Sequence, residues 1–336
     1  MVTSLVVRRL FFLVFVLIAL SGVTFVLSHV VPSDPARMIA GPRASPQAVQ
    51  KIRHDYGLDQ PLAEQYVRYV TGVVRFNFGE SISSQRPVSK DLKQYLPATV
   101  ELTLYAMLFA VLVGVPLGVI SATRRNSFID GVGRVISVLG LSMPSFWLGL
   151  MLQFLLFAQL GLLPDGQRLP IGVTPPHTIT SLYTVDALLT GHVNLFFTAL
   201  KHLVMPAFVL GLGSMAIVTR MARAGMLEVL GQDYIRTAQS KGLGGRVIVM
   251  RHALKNALLP TITVIGMQIG LLMGGAVLVE IIFSWPGIGR YAFQAIQTFD
   301  YNAVISVTLV IGFAYVVMNM LVDIAYLLLD PRIKAT

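Results

Sequence analysis

The chain has 336 residues, 55% of them hydrophobic and only 12% charged, with a mean hydropathy of +0.72. A water-soluble domain carries about 25% charged residues, so a fold solvated by water alone is excluded and lipid must cover much of the surface. The absence of cysteine removes disulfides, thiolate metal sites and cysteine nucleophiles, while a net charge of +10 leaves nucleic acid and an anionic membrane surface open until its placement along the chain is read.

A membrane-spanning helix needs roughly 20 apolar residues at about 1.5 Å rise each. Six stretches reach that length: 10–31, 100–122, 135–160, 202–219, 258–283 and 303–329. The sequence therefore predicts an all-α polytopic membrane protein with six transmembrane helices. The first stretch follows Arg8 and Arg9. Its apolar run exceeds the ~7–15-residue core of a secretory signal, so residues 1–31 are read as an N-terminal tail and a retained first span.

Residues 32–97 predict a folded loop. Ser45 suits an N-cap, Pro46 the first helical position and Gly57 a helix end. Between them Val49, Ile52 and Tyr56 recur at helical spacing. A second helix is predicted from Leu62 to Val74, carrying Leu62, Tyr66, Val70 and Val73 and stopping near "NFGES". Such a cap reads equally as a receiver for an external protein and as a lid over helix ends.

The remaining residues, 98–336, predict a five-helix core. The segment 181–200 contains Asp186, His192 and Asn194. A centrally placed Asp costs about 2.5–3.5 kcal/mol to insert, so this segment is expected at the surface, feeding the fourth span. In the fifth span Gly266, Gly270 and Gly274 recur every four residues and give a smooth face for helix packing. Gln268 and Met273 lie off that stripe. With Ser142, Met143 and Gln153 of the third span they are the candidate lining of a pathway without fixed charge, set against the plainer reading of Met and Ser as packing residues. Pro116, Pro144 and Pro206 mark sites where spans can kink. Glu101 and Glu280 are expected near outer ends within reach of water. Asn319 and Asp323, on one helix face, are expected to bond inside the bundle or, as the alternative, to link to the cytoplasmic loop, and His202 and His252 to be satisfied surface groups flanking spans.

Orientation follows the Lys/Arg bias of short loops. With the N-terminus in the cytoplasm, the inner segments hold Arg8, Arg9, Arg124, Arg125, Arg134, Arg220, Arg223, Arg236, Lys241, Arg246, Arg251, Lys255, Arg332 and Lys334. The short outer loops hold Arg168, Lys201 and Arg290. Six spans then place both termini in the cytoplasm, and topology accounts for most of the excess positive charge without nucleic acid.

The longest inner connection, 220–257, has a helix–glycine–helix layout. Ile235, Ala238 and Gln239 form one face of a short helix and Arg236 and Lys241 another, followed by the "GLGG" break at 242–245. A handful of residues suffices to join two spans. Solvated positive-inside charge explains the Arg and Lys content of this connection but not its layout. The chain contains no G-x-x-x-x-G-K-[ST] phosphate loop, no H-E-x-x-H and no G-x-S-x-G. It is therefore expected neither to bind or hydrolyse ATP by itself nor to carry a catalytic residue.

The run Arg236, Thr237, Ala238, then Gly242 and later Leu259–Pro260, resembles the cytoplasmic signature of binding-protein-dependent ABC importer permeases. That signature has a Glu-Ala-Ala start, a Gly four residues after the last Ala and a later Leu-Pro. Arg-Thr replaces Glu-Ala here and the gap to Leu-Pro is longer, both typical of the dipeptide, oligopeptide, nickel and glutathione branch. "PSDPARMIAGP", "YGLDQPL", "NFGES", "FSWPGIGR" and "DPRI" follow the same branch over nearly the whole chain, although "PSDP" stands where the branch usually has a Gly before the Asp.

The resemblance implies a type I ABC importer permease, multi-pass in the bacterial cytoplasmic (inner) membrane and surrounded by lipid. It implies half of a translocation pathway for di- or oligopeptides, or alternatively glutathione or nickel chelates, completed by a second homologous permease subunit. Two ATPase subunits would bind the ATP and Mg, a solute-binding protein would deliver cargo from outside, and this chain would hold no cofactor or metal of its own. Tyr234, Ile235, Arg236, Thr237, Ala238, Gln239, Ser240, Lys241, Gly242 and Leu243 are then the segment that contacts the ATPase. Three other readings compete. A stand-alone secondary transporter or channel needs an ion-coupling site, and midplane charge is scarce. An intramembrane enzyme lacks a catalytic constellation, and a scaffold or receptor subunit would conduct nothing.

Overall fold

The structure, a computed structural model, describes residues 2–30, 36–37, 44–55 and 57–329. Its helices in chain order are α1 (Val2–Val30), α2 (Pro46–Asp55), α3 (Leu62–Val74), α4 (Val88–Thr123), α5 (Phe128–Ser142), α6 (Ser145–Gln159), α7 (Tyr183–Leu189), α8 (Val193–Leu230), α9 (Asp233–Ser240), α10 (Gly245–Ala257), α11 (Leu259–Gly275), α12 (Val277–Ile282), α13 (Ile288–Gln297) and α14 (Tyr301–Leu329). Among the described residues there is no β-strand, only an isolated bridge between Glu80 and Pro87. The chain divides into two compact units: Met1–Leu96 with Tyr291–Phe313, and Pro97–Arg290 with Ala314–Thr336.

In the first unit, local signals act where the sequence places them. The Ser45 hydroxyl accepts the Ala48 N–H at 3.2 Å, starting α2, and Gly57 turns the chain after it with φ +65°. Tyr56 lies outside the described residues, as does most of "PSDPARMIAGP". α3 spans the residues predicted for it and packs on α1. The Tyr66 hydroxyl and Ser21 Oγ are 2.9 Å apart, and the Phe25 ring meets Tyr66 edge-on and stacks on Tyr69. Two buried carboxylates pin the turn before α4. Asp91 accepts hydrogen bonds from Ser84 at 2.7 Å, Tyr291 at 2.9 Å and Arg86; Asp300 accepts from Ser81 and Ser83.

In the second unit the third predicted span is bent. α5 and α6 meet at 102°, so they do not form one straight helix over 135–160. The cause is Pro144, which clashes with a helical Met143 and drives it to extended backbone, φ −76° and ψ 123°. The fourth span is longer than 202–219. α8 runs from Val193 to Leu230, absorbing the end of the expected surface segment and the first part of the 220–257 connection. Nothing in those flanks breaks a helix, and the 38-residue α8 tolerates Pro206 internally. The fifth span is likewise divided, α11 ending at Gly275 and α12 following Ala276.

α11 packs on α14 through Gly266 and Gly270, where the side chains of Val322 and Tyr315 occupy the space a Cβ would need. The stripe stops there, because Gly274 is exposed. Gly114 and Gly211 let α4 and α8 approach in the same way; a Cβ on Gly114 would lie 2.9 Å from the Met215 carbonyl, and one on Gly211 2.5 Å from that of Ala106. Around these contacts the apolar core gathers Leu102, Leu203, Met205, Leu272, Phe283 and Trp285, the last donating its indole N–H to the Ala98 carbonyl at 2.8 Å.

α4, α8 and the 301–322 part of α14 are each long and apolar enough to cross a membrane, and the bent pairs α5–α6 and α10–α11 raise the number to five. α1 carries a shorter apolar stretch over Phe11–Val26. Asn319 is half-buried, and the side chain of Asp323 lies outside the described residues, so the expected bond between them is not described.

Candidate functional site: a docking segment and a membrane cavity

Both features belong to the second unit. α9 is a two-faced helix of 8 residues. Ile235 (0% exposed) and Ala238 (7%) turn inward and pack with Ala122, Met226, Ile248, Ala253 and Ala257. Gln239, expected on that inner face, is exposed; the cluster is apolar and offers an amide no partner there. Tyr234, Arg236, Thr237, Ser240 and Lys241 are exposed as well, joined by Leu243, Val247 and Met250. Arg236 lies 3.4 Å from Asp233, both almost fully in solvent, a pairing that contributes little. The Tyr234 hydroxyl accepts from Asn256 Nδ2 at 2.9 Å and ties α9 to α10.

The end of α9 is fixed by a glycine. Gly242 sits at φ +77°, its N–H bonds to the Gln239 carbonyl at 2.9 Å, and the Leu243 N–H reaches the Ala238 carbonyl at 3.3 Å. This is a Schellman closure, which needs left-handed backbone at its glycine. No atom lies within 4 Å of where a Cβ on Gly242 would fall, so backbone conformation rather than space requires the glycine. Behind this segment, Asp130 is buried and ties three helices. It accepts the Arg223 guanidinium at 2.8 and 2.9 Å, the Ser121 hydroxyl and the Asn126 N–H. α8 is thereby fastened to the α4–α5 turn.

Elsewhere in this unit, two carboxylates expected to meet water are buried. Glu101 is 2% exposed and Arg168 6% exposed. The guanidinium donates twice to one Glu101 oxygen, at 2.6 and 3.1 Å, and the Thr184 N–H and hydroxyl fill the other at 2.8 and 2.7 Å. Glu280 is wholly buried, accepting the Thr99 hydroxyl at 2.6 Å and the Arg290 N–H at 2.8 Å, which satisfies the start of α13. His202, expected as a surface group, is buried with its Nδ1 2.6 Å from the Gly166 carbonyl; His252 is half-buried. For Glu101, Glu280 and His202, partners distant in sequence replace water.

Between α5, α6, α8 and α11 lies a cavity of about 340 Å³, lined among others by Met143, Ser145, Ser214, Gln268, Leu272 and Gly275. Among the described residues no charged side chain lines it. Of the five candidate pathway residues, Met143 and Gln268 are in the lining. Ser142 is exposed but outside the lining, and Met273 is buried elsewhere. Gln153 donates to the Asp165 carbonyl at 2.6 Å and the Ile282 carbonyl at 3.1 Å, tying the middle of α6 to the end of α12 and to the loop after α6. Ser145 and Ser214 were not singled out in the sequence, where a serine beside glycine or proline carries no distinguishing signal. Among the described residues no group of three or more His, Asp or Glu side chains is placed to hold a metal ion.

Helices of this length and apolarity, with an uncharged cavity in the bundle, define a multi-pass membrane protein. Residues 114–335 match the family of binding-protein-dependent transport system inner membrane components, and residues 1–103 match its N-terminal companion family. The chain belongs to that family. It is 46% identical over 330 residues to the probable D,D-dipeptide transport system permease protein of Escherichia coli K12, covering 98% of this chain and 97% of the relative. It is 39% identical over 332 residues to the dipeptide transport system permease protein of the same strain (98% of both chains). With the glutathione transport system permease protein of Salmonella paratyphi A it shares 34% over 329 residues, again 98% of both. The fold is similar to that in an inward-facing structure of the MetNI methionine ABC transporter, with a TM-score of 0.51 at 16% identity over 69% of this chain and 93% of that one.

Proposed function

We propose that this chain is the permease subunit of an ATP-driven, binding-protein-dependent dipeptide importer of the bacterial inner membrane. The observation that carries this reading is the likeness to dipeptide permeases along 98% of the chain. In it α1, α4, the bent α5–α6, α8, α11 with α12, and α14 are the six spans, both termini are cytoplasmic, and 32–97 forms an outer cap that meets the solute-binding protein. A second permease completes the pathway, and two ATPase subunits supply bound ATP and Mg. The likeness to a glutathione permease supports a second reading in which the cargo is that tripeptide.

The docking segment is 233–243. Ile235 and Ala238 anchor α9 to the bundle, while Tyr234, Arg236, Thr237, Gln239, Ser240, Lys241 and Leu243 face outward for an ATPase groove. Because α9 packs on the inner part of α8, and Asp130 fastens α8 to α4 and α5, a push on α9 moves the helices around the cavity as one body. Exposed Arg236 and Lys241 add orientation and encounter rate toward an acidic partner. The cavity, lined by Met143 and Gln268, is this subunit's share of the pathway, and Gly266 and Gly270 hold α11 against α14 beside it.

The test is uptake of a labelled dipeptide into vesicles containing both permeases and both ATPases, with loaded binding protein outside and ATP inside. Uptake should require every component. Equal uptake without ATPase would point to a stand-alone transporter, and uptake unchanged on omitting this chain alone would point to a scaffold.

A further inference from the structure

Most buried polar side chains in the second unit have partners within the protein. Among the described residues four do not: Thr103 and Thr261, whose hydroxyls are sealed within the protein, and Gln268 and Ser214, which open onto one space. Gln268 is 8% exposed and Ser214 is 4% exposed, both line the uncharged cavity, and neither side chain makes a hydrogen bond to another described residue. They approach it from different helices, α11 and α8. The unpartnered oxygens that are sealed off completely among the described residues are those of Tyr69, Thr103 and Thr261; the polar atoms of Gln268 and Ser214 stay accessible from the cavity, held by no protein group and open to a guest. Within a membrane such groups mark a pathway or a binding site. The rest of the wall is Met, Leu, Val, Ile, glycine and Ser145, which gives room without choosing a ligand.

We propose that Gln268, assisted by Ser214, is a cargo-reading residue that holds the main-chain amide of a peptide in transit. This rests on the reading of the chain as a dipeptide permease. A primary carboxamide has one carbonyl acceptor and two N–H donors, and a peptide bond offers the complementary C=O and N–H. The pairing is independent of side chain and of net charge, as a path used by varied dipeptides requires. Ser214 adds a hydroxyl that donates or accepts. The absence of a charged wall residue means that no fixed charge there holds the cargo termini and slows release. The site recognises a secondary amide and imposes little further selection.

The experiment uses the full transporter in vesicles with saturating loaded binding protein. It compares uptake of alanyl-alanine and of alanyl-N-methylalanine, whose peptide nitrogen has no hydrogen to donate, each normalised to ATP hydrolysed and to cargo bound by the binding protein. The wild type should favour alanyl-alanine. Gln268→Met keeps length and apolarity but removes the amide. It should lower alanyl-alanine uptake by about tenfold, the scale of one lost buried hydrogen bond, leave ATP hydrolysis intact and erase the preference between the two cargos. Ser214→Ala should give a smaller loss in the same direction, and it keeps the question open to test if Gln268→Met fails to assemble. Unchanged uptake and unchanged preference in either assembled variant would overturn the proposal, as would equal loss for both cargos. No ATP-dependent uptake of either dipeptide by the wild type would overturn the dipeptide-permease reading itself, a result distinct from a change confined to the variants.

Discussion

The second unit treats buried polarity in two ways. Glu101, Asp130 and Glu280 are saturated by Arg168 and Thr184, by Arg223 and Ser121, and by Thr99 and the Arg290 N–H. Midway along α8 and α11, Ser214 and Gln268 face a cavity without partners among the described residues. Saturated polar groups fasten helices and are expensive to disturb. Ser214 and Gln268 hold no helix to another and, lining a cavity, are available to a ligand. The first set is architecture and the second is the place to look for transport chemistry.

The largest effect is expected at a saturated carboxylate. Glu101→Ala leaves Arg168 buried without its counter-charge and should destabilise the detergent-solubilised protein by about 3–5 kcal/mol, read by thermal or denaturant unfolding. Replacing the pair together, with Glu101→Leu and Arg168→Met, should cost less than Glu101→Ala alone; a double variant worse than the single would break the comparison. A second effect concerns coupling. Gly242→Val forces a branched side chain into left-handed backbone at a local cost of about 1–2 kcal/mol. Membrane insertion should be intact while uptake per ATP hydrolysed falls, and normal stoichiometry would refute the role of the Schellman closure.

Third, Gln268→Leu removes an unpartnered amide and should leave unfolding unchanged within about 0.5 kcal/mol or shift it upward, in contrast to Glu101→Ala. A loss comparable to that of Glu101→Ala would place Gln268 with the fasteners. The smallest effect is a pH response outside the spans. Burial pushes the Asp186 carboxyl up, but hydrogen bonds from the Thr180 hydroxyl and from the N–H groups of Thr180, Ile179 and Ser181 outweigh it and hold the group below its ordinary 3.8. A lowered value means that the stabilisation is fully present above pH 3.8 and is lost as the pH falls below it. Amide exchange at Thr180 and Ser181 should rise in that acid range, and Asp186→Asn should flatten the dependence.

Features controlled by neighbours along the chain were legible. The ends of α2 and α3 follow from Ser45, Gly57 and the spacing of Tyr66 and Val70, and the short helix before Gly242 follows from its glycine stop. Hydropathy alone blurred the rest. An apolar run reads the same whether straight or bent at Pro144, and a tolerant flank hides the full reach of α8. Long-range partners were invisible in principle. Arg168 stands 67 positions from Glu101, and Arg223 stands 93 from Asp130, so neither pairing leaves a local pattern. Gln268 was legible as a residue off the glycine stripe of the fifth span; Ser214 was not, because serine packs in membrane helices without a function.

The central claim is that 233–243 works against an ATPase on one side of the membrane while the cap faces a binding protein on the other. A photo-crosslinker at exposed Thr237 and another at exposed Phe76, each in the assembled transporter, test it most directly. The account predicts an ATPase adduct from position 237, a binding-protein adduct from position 76, and no ATPase adduct from buried Ala238. ATPase adducts from position 76, or binding-protein adducts from position 237, would contradict it.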